Sequence, residues 1–276
     1  MNVLENIIYG IISGFSEFLP ISSLGHQQLL KIFFGTSSPE PLRDIFVHIA
    51  FFTAVLVSSG TYIEKLRREL QQNPRIKKRR SSQRDRRAFY DAALLRSTSV
   101  IMLLGMVVLR IIFRSSLSLS WIALGFLLNG IMIFVPEYLP HGNKDARSMS
   151  GFDSFLLGLG SALSVLPGFS RVGVFLSCAV SRGADKVKAY NWVLILTIPS
   201  VLIFLIFDII TVFQAGLGIA GFISFLGCVL SGIFAFISSL AGIYLIRFML
   251  VRSGFAGFAF YSWGAAFLSF LLHLSA

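Results

Sequence analysis

Apolar residues along this chain come in long blocks and do not alternate with polar positions. Residues 45–60, 117–135, 192–210 and 219–245 are such blocks, each near or above the roughly 18 residues that cross a hydrocarbon core of about 30 Å. With the polar breaks around them they predict six spanning helices, at about 44–63, 92–113, 118–136, 190–208, 218–246 and 254–275. Two further segments, 1–34 and 152–183, are interrupted near their middle, by Leu19-Pro20-Ile21-Ser22-Ser23-Leu24-Gly25 and by Leu166-Pro167-Gly168-Phe169-Ser170-Arg171-Val172-Gly173. Proline removes a backbone donor and disfavours helix at the residue before it. Irregular backbone at membrane depth persists only where protein buries it or a watery cavity satisfies it. Both segments are therefore expected to be re-entrant helical hairpins.

Composition agrees with a membrane setting. Only 13% of the 276 residues are charged, about half the share of a soluble domain. The first segment does not resemble a cleavable leader, since it lacks a basic start and carries Glu5 and Glu17. Cys178 and Cys228 stand alone in apolar stretches and suggest neither disulfide nor zinc.

Charge then sets the expected topology. Half of the 24 basic residues fall between Lys65 and Arg96. No aromatic side chains interleave the densest part, which argues against nucleic acid. A cytoplasmic loop over 64–91, facing anionic lipid, accounts for it better. With that loop inside, the stretch at 141–150 with Lys144 and Arg147, the loop with Arg182, Lys186 and Lys188, and the turn with Arg247 and Arg252 all fall inside as well. Segment 1–34 then enters from outside and 152–183 from inside. The expected fold is an all-α integral membrane protein, 1–276 forming a single polytopic domain. It has two inverted-topology repeats, 1–136 and 151–276, each a re-entrant helical hairpin plus three transmembrane helices. Such repeats build internal polar sites where their broken helices meet.

The first break carries candidate chemistry. Ser13 and Glu17 share a helix face, and an intramembrane carboxylate needs a partner, a metal or water. Ser22 and Ser23 open the second half-helix, whose free amides and positive end suit phosphate oxygens, or they simply cap it. His26 lies in its first turn and can attack phosphorus or exchange a proton. In the second break, the Arg171 guanidinium matches phosphate oxygens in a bidentate way. Ser170 adds a hydroxyl, while Gly168 and Gly173 let backbone approach a ligand. A competing reading is an internal Glu17–Arg171 ion pair that holds the halves together.

The string Gly14-Phe15-Ser16-Glu17-Phe18-Leu19-Pro20-Ile21-Ser22-Ser23-Leu24-Gly25-His26 resembles the first signature of the bacterial undecaprenyl pyrophosphate phosphatase family, and Leu166-Pro167-Gly168-Phe169-Ser170-Arg171 resembles its second. The resemblance covers essentially the whole chain. It implies removal of the terminal phosphate from undecaprenyl pyrophosphate in the bacterial cytoplasmic membrane, at a site open to the outer face and assisted by a divalent cation, Mg²⁺ or Ca²⁺. It further implies that Glu17 binds metal or acts as base, and that His26 is nucleophile or proton carrier. Ser23 and Ser170 would contact phosphate and Arg171 would clamp it. The chain departs from the family pattern at Ser13, where a carboxylate or Gln is usual, and at Leu24, Val172 and Phe175, where hydroxyls are usual. Losing a metal ligand or an oxyanion donor commonly costs one or more orders of magnitude in rate. Alternatives from other classes are a polyprenyl phosphate or anion transporter and a catalytically weak lipid-binding relative. A homodimer is compatible with any of these.

Overall fold

The computed structural model describes residues 2–36, 40–71, 83–113, 118–140, 142–215, 222–252 and 254–275. Ten α-helices run through them: α1 Val3–Phe18, α2 Ser23–Phe33, α3 Pro41–Gln71, α4 Gln83–Ile112, α5 Leu119–Phe134, α6 Gly151–Ala162, α7 Arg171–Ser181, α8 Lys186–Ala215, α9 Phe222–Arg252 and α10 Gly257–Ser275. Apart from one isolated bridge between Lys144 and Ala184, no β-structure occurs among the described residues.

Five helices, α3, α4, α8, α9 and α10, are long and apolar enough to cross a membrane, and the protein is an all-α, multi-pass membrane protein. α5, expected as a sixth span, has 16 residues, about 24 Å at 1.5 Å per residue. It stops because the chain tightens into a 3₁₀ turn over Val135–Tyr138 that contains Pro136. α3 overruns its apolar block because Glu64, Lys65, Arg67 and Arg68 are good helix formers, with Arg68 bonded to Glu64 one turn back at 2.9 Å. Much of the basic loop expected over 64–91 lies outside the described residues, as do 37–39 and His141.

The short helices around the breaks are made by local chemistry. α1 opens on a capping box in which Asn2 receives the Glu5 N–H at 2.9 Å and its own N–H reaches the Glu5 carboxylate at 2.8 Å. α6 opens the same way, with Ser150 and Asp153 exchanging bonds at 3.1 and 2.7 Å. Leu19 and Leu166, each before a proline, adopt extended backbone; Leu19 ends α1, and Leu166 ends the 3₁₀ turn over Leu163–Val165 that follows α6. Ser22 and Ser170 then cap α2 and α7.

Both halves of the chain thus run helix, break, helix and three further helices. The leading helix of each half packs on the fourth helix of the other, α1 along α9 and α6 along α4, while α3 and α8 meet each other. Small residues allow these approaches. A Cβ at Gly10 would sit 2.3 Å from the Ser231 carbonyl oxygen, and one at Gly14 2.2 Å from that of Ala235. The buried interior includes Phe51, Met102 and Trp192, whereas Val57, Leu104, Phe213 and Phe267 stay exposed, as a lipid-facing surface requires.

Candidate functional site

The carbonyls of Leu19 and Pro20, at the end of α1, have no helical partner, and the fold satisfies them across the two breaks. The Ser170 hydroxyl donates to the Leu19 carbonyl at 3.1 Å, and the Asn129 amide of α5 donates to that of Pro20 at 3.2 Å. The Asn129 side-chain oxygen accepts the Ser170 N–H at 2.9 Å, and its amide also reaches Ser262 of α10 at 3.0 Å. The Gly168 N–H donates to the Ser22 hydroxyl at 3.0 Å. One buried asparagine and two serines therefore clip the breaks together.

Beside this clip lies a small cavity of about 20 Å³, room for about one water. Glu17, Ser23, Leu24, Ser170 and Arg171, all singled out in the sequence, line it. Arg171 is almost fully buried and forms an ion pair with Glu17, so the two halves are joined by charge at this point. Its other terminal nitrogen donates to Ser200, just after Pro199 inside α8. The Arg171 Nε has no hydrogen-bond partner among the described residues. The Ser23 hydroxyl donates to the Ser13 carbonyl at 3.3 Å and accepts from Gln27 at 3.3 Å.

Several residues fall elsewhere than expected. Ser22 is fully buried with its hydroxyl taken by the N–H groups of Gly25 and Gly168, so it ties the breaks and does not face the cavity. Its φ of 66° is a strained value for a non-glycine residue, which that clip sustains. Gly168 and Gly173 admit protein and not ligand. A Cβ at Gly168 would lie 2.6 Å from the Phe126 backbone nitrogen, and one at Gly173 3.1 Å from Ile133 and from Pro20. His26 is absent from the cavity lining. Its Nδ1 meets the Ser22 carbonyl at 2.7 Å, its Nε2 meets the Tyr261 hydroxyl at 2.7 Å, and its ring stacks on Tyr261. Of the departed positions, Leu24 lines the cavity and Val172 and Phe175 lie in the apolar core. Ser13 is fully buried with its hydroxyl unpartnered among the described residues.

The remaining lining residues are Ser16, Gln27, His48, Ser164, Phe169 and Phe204. His48 and Asp208, read from the sequence only as helix-end or internal hydrogen-bonding groups, with His48 able to approach the site, form a pair at 2.6 Å. Their signal was available: both are ionisable residues in apolar blocks. Ser200 and Asn129 carried no comparable signal, because a hydroxyl or amide in a helix is common.

The residues present do not fit a divalent cation held by the protein alone. Among the described residues no three His, Cys, Asp or Glu side chains are placed to hold a metal ion together, and the cavity's one carboxylate, Glu17, is already paired with Arg171.

Comparison with known proteins adds the lineage. Residues 6–268 match the family described as bacitracin resistance protein BacA. The chain belongs to this family. It is 30% identical over 278 residues to undecaprenyl-diphosphatase 2 of Halalkalibacterium halodurans, covering 98% of this chain and 96% of that one. It is 27% identical over 272 residues to undecaprenyl-diphosphatase of Carboxydothermus hydrogenoformans, covering 95% and 94%. It is also 29% identical over 210 residues to undecaprenyl-diphosphatase of Treponema denticola, covering 76% of each.

Proposed function

We infer that this BacA-family protein hydrolyses undecaprenyl pyrophosphate to undecaprenyl phosphate and phosphate, recycling the lipid carrier of cell-wall synthesis. The observation that carries this is the buried Arg171 guanidinium, set in a polar cavity between two clipped helix breaks of a membrane protein whose relatives are named for that reaction. A guanidinium is the side chain best matched to phosphate oxygens, and α2 and α7 both begin at the breaks, with their positive ends there.

At about 20 Å³ the cavity does not hold a pyrophosphate. Binding therefore parts the Glu17–Arg171 pair, the phosphate oxygens replacing the carboxylate on the guanidinium. Ser23 and Ser170, already at the cavity wall, orient them. A divalent cation, Mg²⁺ or Ca²⁺, would enter as the pyrophosphate's counterion. The two halves are taken as inverted repeats in the cytoplasmic membrane, with the site opening to the outer face and the basic loop over 64–91 against anionic lipid inside. The distribution of Lys and Arg supports this orientation.

The test is phosphate release from undecaprenyl pyrophosphate by the purified chain in detergent with Mg²⁺. Release well above an Arg171→Ala control is expected. Wild-type release no greater than the control, together with substrate flux across liposomes, would replace the hydrolase with a transporter.

A further inference from the structure

We propose that His48, held by Asp208, is the proton acceptor of this site in place of His26. The assignment rests on the hydrolase reading above. His26 has both ring nitrogens engaged, by the Ser22 carbonyl and the Tyr261 hydroxyl, and is not in the cavity wall. His48, on α3, lines the same cavity as Glu17, Ser23 and Arg171.

The His48 ring is fixed on three sides. Its Nδ1 bonds to the Asp208 carboxylate of α8 at 2.6 Å. Its face stacks on Phe204 with centroids 5.3 Å apart and planes within 5°. Phe51 meets it edge-on at 5.7 Å. A carboxylate accepts but does not donate, so Asp208 holds the proton on Nδ1 and leaves Nε2 as an acceptor lone pair. Among the described residues the ring's one hydrogen bond is that of Nδ1 with Asp208. This is the arrangement in which a buried carboxylate sets the tautomer and orientation of a general base.

The step balances. A water oxygen forms a bond to the terminal phosphorus, and the bond from that phosphorus to the bridging oxygen breaks. The electron pair leaves on the bridging oxygen of polyprenyl phosphate. The water proton passes to His48 Nε2 and from there to solvent. Arg171 holds the phosphate oxygens meanwhile. Asp208 acts as a positioning residue.

The experiment uses the full chain in detergent with undecaprenyl pyrophosphate as the probe, and reads kcat and KM separately. His48→Gln is expected to lower kcat about 100-fold or more, the usual worth of a general base, with KM within about threefold. His26→Gln is expected to keep most of kcat. Asp208→Asn should lose kcat without KM, and Asp208→Glu should recover part of it, a split that a merely structural role does not produce. Each variant's melting temperature identifies loss through misfolding; if His48→Gln fails to fold, His48→Asn and the Asp208 pair carry the same comparison. Wild-type-like kcat in His48→Gln beside a collapse in His26→Gln would overturn the assignment while leaving the hydrolase intact. No phosphate release by wild type would instead overturn the hydrolase reading, and this assignment with it.

Discussion

Replacing Gly168 by alanine isolates what holds the two breaks together. Two separable costs are expected at this position. Its φ of +98° lies where L side chains are strained, at about 1–2 kcal/mol. The added Cβ would also meet the Phe126 nitrogen at 2.6 Å and the Gly125 Cα at 2.7 Å, backbone atoms of α5 that cannot rotate away. Overpacking of this kind costs about 1–3 kcal/mol. Three other glycines separate the terms. Gly35 ends α2 with φ +65° and nothing within 4 Å of its Cβ position, so Gly35→Ala reports the backbone cost alone. Gly125, within α5, would place a Cβ 2.5 Å from the Pro167 carbonyl oxygen, so Gly125→Ala reports the clash alone. Gly60 sits within α3 with nothing nearby, and Gly60→Ala should stabilise by about 0.5–1 kcal/mol. Thermal unfolding in one detergent, followed by intrinsic fluorescence, should rank Gly60→Ala above wild type, then Gly35→Ala and Gly125→Ala below it, and Gly168→Ala lowest. A Gly168→Ala protein that melts at or above Gly35→Ala would refute the close crossing of α5 over the second break.

The other predictions concern the clip, the ion pair and the cation. Asn129→Ala removes three bonds among Pro20, Ser170 and Ser262, and at about 1 kcal/mol each should lower stability by about 2–3 kcal/mol, read by the same melts, with Asn129→Asp at least as harmful, because a buried carboxylate cannot donate the two amide bonds. Glu17→Gln leaves the Arg171 charge unpaired at 4% exposure and should cost about 3–5 kcal/mol, whereas Glu17→Gln combined with Arg171→Met should regain stability without regaining phosphate release. Chelation of divalent cations should raise KM more than it lowers kcat, because the cavity offers a cation one carboxylate, and Ser13→Glu should make turnover respond at lower Mg²⁺; equal chelator sensitivity of the two proteins would contradict this.

Much of the architecture was legible because lipid makes sequence speak plainly. Blocks of apolar residues and two proline breaks each report a single strong free-energy term, the cost of polar groups in hydrocarbon. The lengths of α3 and α5 were less so, since helix propensity carried α3 past its apolar block and the 3₁₀ turn at Pro136 cut α5 short. Within the site, Glu17, Ser23, Ser170 and Arg171 were identified from residue type and position, and the cavity unites them. What residue type could not say was which hydroxyls and glycines face a ligand. Ser22, Gly168 and Gly173 carry the signs of a phosphate loop, yet their groups are consumed by the crossing with α5 and the other break.

By itself the sequence determined that the chain lives in a membrane, where it breaks, and which charged residues must find partners there. Only the tertiary structure decided the partners. Arg171 meets Glu17 and Ser200, His26 meets Tyr261, and His48 meets Asp208, pairs that join residues 29 to 235 positions apart along the chain. The physical reason is that burial cost is a property of a residue and its local segment, whereas the relief of that cost depends on which other helix face arrives. Helix packing sets that arrival, and no spacing along the chain encodes it.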